Sequence, residues 1–186
     1  FMGIFNGTSN FILSKMTHEQ TTFKDALEEA QRLGFAEADP TDDVEGVDAE
    51  RKVVITSYLS FNQVIKLNDV KLVGISDITL ADINAASALN YKIKLIGKGT
   101  YENGYVNASV EPTLIHKNHQ LAAVENEYNA IYVIGDAVGD TMFYGKGAGS
   151  LATGSAVVSD LLNVALFFES NLHTLPPHFE LKTEET

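Results

Sequence analysis

Hydrophobic periodicity changes once along this chain, near Tyr91, and that change constrains the fold more than any single motif. Before it, apolar residues recur at helical spacing. After it the period is two: Tyr91 to Gly97, Val106 to Pro112, and Ala130 to Ala137 followed by Asp140 to Tyr144 alternate or run apolar, with Asn103-Gly104 as a hairpin signal. Helices followed by hairpin-linked strands predict an α+β layer, a mixed and largely antiparallel sheet with helices packed on one face.

The helical part divides at its caps and breakers. Phe1 to Asn6 reads as a strand or the end of a linker, and Thr8 or Ser9 caps a helix running to about Glu19. A second helix is predicted from Thr22 to Leu33, stopped by Gly34 in the C′ position. A third runs from Asp48 to about Phe61 with Val47, Val54, Ile55, Tyr58 and Leu59 as its apolar pattern, and a fourth from Leu80 to Leu89. Val70 to Ile78 stays open between a loop and a short strand. A last helix is expected after Gly149, to about Asn171, with Val157, Val158, Leu161, Leu162, Ala165 and Phe168 as a buried stripe. One domain over residues 1–172 and a tail or linker over 173–186, which holds Pro176-Pro177, complete the expected organisation.

Composition excludes several function classes. A net charge of −12 argues against a nucleic-acid partner, because phosphate binding needs clustered Lys and Arg. There is no cysteine, so no thiolate nucleophile and no Cys-type metal site. No apolar run reaches the roughly 18 residues of a membrane span, so no membrane association is expected, and the absence of cysteine fits a cytoplasmic setting. The chain opens Phe1-Met2 and reads as a piece excised from a longer protein.

The chemistry concentrates between Glu37 and Lys52, EADPTDDVEGVDAERK. Glu37, Asp39, Asp42, Asp43, Glu45, Asp48 and Glu50 precede the first bases, Arg51 and Lys52. Pro40 and Gly46 predict a structured loop over 36–46 that empties into the third helix. Asp48 and Lys52 are then one turn apart on one face. As a surface ion pair they would add only a few tenths of a kcal/mol. As a site, the carboxylates form a receptor for a cationic or zwitterionic ligand, and Lys52 is the acid. A lysine among carboxylates keeps its proton and suits donation to a carbonyl oxygen that is becoming an alkoxide. A calcium loop with Gly46 at its sixth position would put Lys52 where the bidentate Glu belongs, and the five histidines lack ligand spacing, so no metal is expected. Gly145, Gly147 and Gly149 precede the last helix as G-x-G-x-G, which is neither a phosphate-binding loop nor a dinucleotide fingerprint.

Asn6 to Leu13 (NGTSNFIL), Leu33 to Lys52 (LGFAEADPTDDVEGVDAERK), and Tyr144 to Leu161, with YGKGAG followed by SAVVSDL, together resemble the substrate and catalytic domain of homoserine dehydrogenase. The departures are Glu50, where alanine is common, and Leu151 to Gly154, where Pro-Thr-Ala is usual. The resemblance implies an oxidoreductase of amino-acid biosynthesis that interconverts L-aspartate 4-semialdehyde and L-homoserine with NADP or NAD. It implies Lys52 as general acid and base, Asp48 beside it, and Glu37, Asp48, Asp43 and Thr8 toward the substrate. Gly34, Gly147 and Gly145 are implied toward the cofactor, and the second sheet face as a homodimer interface. Because no dinucleotide fingerprint is present, the fragment alone is expected to be inactive. A competing reading is a non-catalytic module that binds an amino acid and dimerises.

Overall fold

The computed structural model describes residues 1–169. Its sheet has six strands in the order β2-β4-β3-β1-β5-β6. The two predicted hairpins form its wings. β3 (Tyr91–Glu102) and β4 (Tyr105–His116) are antiparallel across a turn in which Asn103 and Gly104 both have positive φ, at 54° and 86°, as that dipeptide favours. β5 (Tyr128–Gly135) and β6 (Gly139–Lys146) form the second hairpin. Between them lies β1 (Met2–Ile4), antiparallel to both β3 and β5. The segment left open between loop and strand contains β2 (Val70–Leu72), parallel to β4, which makes the sheet mixed.

Five helices accompany this sheet: α1 (Gly7–Glu19), α2 (Phe23–Arg32), the single turn α3 (Thr41–Val44), α4 (Val47–Phe61) and α5 (Leu80–Ala88). The cap of α1 is Asn6, two or three residues before the expected Thr8 or Ser9: its side chain accepts from the Ser9 amide at 2.8 Å. α3 corrects the all-loop expectation for 36–46, since Pro40 tolerates a helical turn after it even though it bars one before it. α4 also departs from its predicted stripe. It buries Ala49, Val53 and Ser57, whereas Ile55 and Leu59 are exposed. Small residues face the sheet because the helix lies close to it: a Cβ on Gly97 would stand 2.5 Å from Val53 and 2.6 Å from the Phe5 ring.

The main core lies between the helices and one sheet face, with Phe5, Phe11, Leu13, Val53, Leu95 and Val110 among its members. The opposite face is partly covered by this chain itself. A 3₁₀ turn, Gln120–Ala123, puts Leu121 and Ala122 over Ile4, Ile96, Ala130 and Tyr132.

Lys94 is 1% exposed, a buried charge that alternation alone did not reveal. Its ammonium donates to Asn10 Oδ1 at 3.0 Å and the Val124 carbonyl at 2.6 Å, and pairs with Glu125 at 3.3 Å. The Asn10 amide donates to the carbonyls of Val124, Asn126 and Tyr128, so this network ties α1 and β3 to the chain entering β5. Burial lowers Lys94 to about 8. Burial pushes Glu125 up, but the Lys94 charge and then the Lys92 hydrogen bond outweigh it and bring the carboxyl down to about 2. A depressed carboxyl contributes stability above its unfolded value of 4.5 that is lost as pH falls toward 2. Lys94→Met is expected to lower stability by about 1–3 kcal/mol, because Asn10 Oδ1 loses its donor. Urea unfolding at neutral pH checks this; an unchanged midpoint would make the network dispensable.

The chain divides into two compact units, residues 1–147 and 148–186. The described part of the second is α6 (Ser150–Glu169). Its expected buried stripe is exposed instead, with Val157, Val158, Leu161, Leu162 and Phe168 each more than half accessible. The helix has the apolar pattern, but those side chains are exposed among the described residues. By length and composition Ser150–Phe168, mean hydropathy 1.6, is long and apolar enough to cross a membrane. This corrects the expectation that no apolar run has that length: Ser155, Ser159, Asp160 and Asn163 punctuate the run without lowering its hydropathy below that of a span. The expected boundary at 172–173 and the tail lie outside the described residues.

Candidate active site

α4 delivers the proposed acid and its partner. Asp48 stands in the first turn, where the helix N-terminus favours a carboxylate, and Lys52 follows one turn later. The Lys52 ammonium donates to Asp48 Oδ2 at 2.7 Å and to the Phe5 carbonyl at 3.1 Å. Its side chain is 43% exposed and that of Asp48 30%, so the pair is anchored yet open.

Asn6 assembles the rest, and sequence reasoning missed it by reading it as the last residue of the opening strand or linker. The amide oxygen caps α1, which leaves the amide nitrogen to donate to Asp43 Oδ1 at 2.7 Å and Asp48 Oδ2 at 3.0 Å. One side chain therefore joins the start of α1, the turn α3 and the first turn of α4. Asp43 is partly buried, and that burial raises its carboxyl above the usual range; the Asn6 amide pulls it back, and the like charge of Asp48 adds to the rise. An asparagine before a Gly-Thr-Ser turn was the available signal.

The other predicted residues fall in two places. Thr8 donates its hydroxyl to the Phe35 carbonyl at 2.6 Å, which fastens α1 to the turn after α2. Gly34 lies in that turn at φ 80°, in the predicted C′ position. Glu37 follows and is exposed; its carbonyl accepts from Gln31 at 3.0 Å, and its carboxylate makes no hydrogen bond or ion pair among the described residues. The structure thus joins Lys52 to Asp48 directly and Asp48 to Asp43 through Asn6, and leaves Glu37 and Gly34 on an adjacent turn.

On its other side Lys52 borders a cleft of about 390 Å³, bounded by Ile55 of α4, Ile131 of β5, Phe143 of β6, Asn129, Gly145 and Gly147. Its wall is mostly apolar. Lys52 therefore separates a carboxylate cluster from an apolar hollow, an arrangement able to give a proton to an oxygen held between them.

Comparison with known proteins gives a consistent result. Residues 1–162 match the family model described as homoserine dehydrogenase. The homoserine dehydrogenase of Bacillus subtilis (strain 168) is 55% identical over 163 residues, 88% of this chain and 38% of that protein. A crystal structure of S. aureus homoserine dehydrogenase at pH 7.5 matches with TM-score 0.88 and 86% identity, covering 98% of this chain and 44% of that one. A hyperthermophilic archaeal homoserine dehydrogenase mutant in complex with NADPH matches with TM-score 0.73 and 30% identity, over 89% of this chain and 46% of that one. The chain spans less than half the length of these relatives.

Proposed function

We propose, from the premise that this chain belongs to the homoserine dehydrogenase family, that it is the substrate-binding and proton-transferring part of an enzyme interconverting L-aspartate 4-semialdehyde and L-homoserine. The observation that carries this reading is the Lys52 ammonium, held between Asp48 and the Phe5 carbonyl at the edge of an apolar cleft.

The residues fit a nicotinamide cofactor on one side. The apolar wall and the bare backbone at Gly145 and Gly147 suit the face of a flat ring, and Gly34 offers a second close approach on the neighbouring turn. A bound NADH or NADPH supplies the hydride. In the reductive direction Lys52 gives its proton to the semialdehyde oxygen; in the oxidative direction it takes the hydroxyl proton back. Asp48 keeps the ammonium aimed, and Asn6 keeps Asp48 and Asp43 in place. Glu37 receives the substrate ammonium, Thr8 steadies the turn that presents Glu37, and Asp43 and Asp48 add negative charge to the same side. The apolar Ile134 and Tyr144, exposed on the second sheet face, support a homodimer through the sheet.

Glu37 tests the substrate assignment. In a full-length homoserine dehydrogenase carrying this domain, Glu37→Gln is expected to raise KM for homoserine by roughly 10-fold or more, the loss of one charge-assisted hydrogen bond. The kcat should stay within about threefold, because the contact is made equally in ground and transition states. Steady-state kinetics with homoserine decide; an unchanged KM would take Glu37 out of the substrate site.

A further inference from the structure

We propose that Asn129 is a positioning residue for the proton transfer assigned to Lys52, an inference that rests on that reading of Lys52. In the register of β5 and β6 Asn129 stands opposite Gly145, on the sheet face that packs against the helices. Its amide nitrogen donates to the Phe5 carbonyl at 3.1 Å, the same oxygen that accepts from Lys52 at 3.1 Å. One peptide oxygen therefore holds both groups.

That bond also fixes the amide's orientation, since the reverse would set two acceptors against each other. The consequence is that Asn129 Oδ1 is buried with no hydrogen-bond partner among the described residues. A buried acceptor left unsatisfied is rare and calls for a reason. The reason lies at the other end of the amide, where the nitrogen must face the Phe5 oxygen.

The surrounding backbone is shaped for this side chain. A Cβ on Gly147 would lie 2.1 Å from the Asn129 nitrogen, and one on Gly7 would lie 3.3 Å from its oxygen. The start of α1 and the end of β6 thus close on one amide from two directions, and any larger residue at 147 would displace it.

Around the Lys52 ammonium the charged side chains are Asp48 from α4 and Asp43 from α3, and Lys146 of β6 lines the same cleft with its ammonium paired to Glu127 at 3.2 Å. From β5 the neighbour is the neutral Asn129. Its donated hydrogen bond occupies one lone pair of the Phe5 oxygen and confines the ammonium to the other. Asn129 thereby sets where the lysine proton lies when substrate arrives. Its influence belongs to turnover, with binding nearly untouched.

The test uses the full-length dehydrogenase, with Asn129→Leu and Asn129→Asp compared with wild type and Lys52→Ala in homoserine oxidation across pH. Asn129→Leu is expected to lower kcat about tenfold while KM for homoserine stays within about twofold, the pattern of an interaction realised only in the transition state. Asn129→Asp is near-isosteric, and its carboxylate shares an oxygen neighbour with the ammonium, so the ascending limb of kcat/KM, along which Lys52 becomes a free base, should move up by about one pH unit. A merely structural Asn129 would lower the melting temperature but leave kcat and both pH profiles superposed on wild type, and that result overturns the proposal. If Asn129→Leu does not fold, the Asn129→Asp profile alone decides. Should Lys52→Ala oxidise homoserine like wild type, the assignment of Lys52 fails and this inference goes with it; an inactive Lys52→Ala beside wild-type Asn129 variants removes only Asn129.

Discussion

Lys52→Ala in the full-length enzyme is expected to lower turnover by roughly 10²–10⁴-fold, the size of a positioned general acid's contribution. The fold should survive, because a half-open ion pair of this kind adds only about 0.2–1 kcal/mol. Nicotinamide nucleotide binding, followed by fluorescence titration, should change by less than about twofold, since an ammonium acting on the substrate oxygen contributes mainly in the transition state. Lys52→Arg sharpens the result. A guanidinium keeps the charge but does not give up its proton in proteins, so this variant should be nearly as slow as alanine. If Lys52→Ala retains more than about a tenth of the wild-type rate, the proton comes from elsewhere.

Asp48→Asn should produce the next largest loss. Asp48 Oδ2 accepts from both Lys52, at 2.7 Å, and Asn6, at 3.0 Å. Hydrogen bonds to a charged group contribute about 1.5–3 kcal/mol, and each 1.36 kcal/mol is tenfold in rate, so kcat/KM should fall by roughly 10- to 100-fold. Both kcat and KM should respond, because Asp48 aims the lysine and also adds charge on the substrate side. The substitution preserves shape, so a repacking effect will not mimic the loss. A kcat/KM within about threefold of wild type would mean that the Phe5 carbonyl alone holds the lysine.

Features decided by neighbours in sequence were legible in the chain before its fold was known. Gly34 at the end of α2, the Asn103-Gly104 turn and the one-turn separation of Asp48 and Lys52 all depend on residues a few positions apart. What escaped depends on partners far along the chain. Asn6 looked like the end of a strand or linker because its role in the site needs Asp43 and Asp48, 37 and 42 residues away. Lys94 sits in an alternating strand and reads as solvent-facing until Asn10 and Glu125 are brought to it. The buried side of α4 was misassigned because the sheet selected small residues at Gly97, whereas hydrophobicity alone pointed to Ile55 and Leu59. Glu37 entered as one carboxylate of a receptor and is found on a separate turn, tied to the rest through Thr8 and Phe35.

β1 pairs on both edges, and only three residues lie in it before the chain passes through Phe5 to Asn6. The strand thus acts as an index mark. Moving it by a single step would carry the Phe5 oxygen away from Lys52 and Asn129 and draw Asn6 off its two carboxylates, although every helix stayed where it was. Proteins that misthread this short segment should be well folded by most spectroscopic criteria and nonetheless chemically silent.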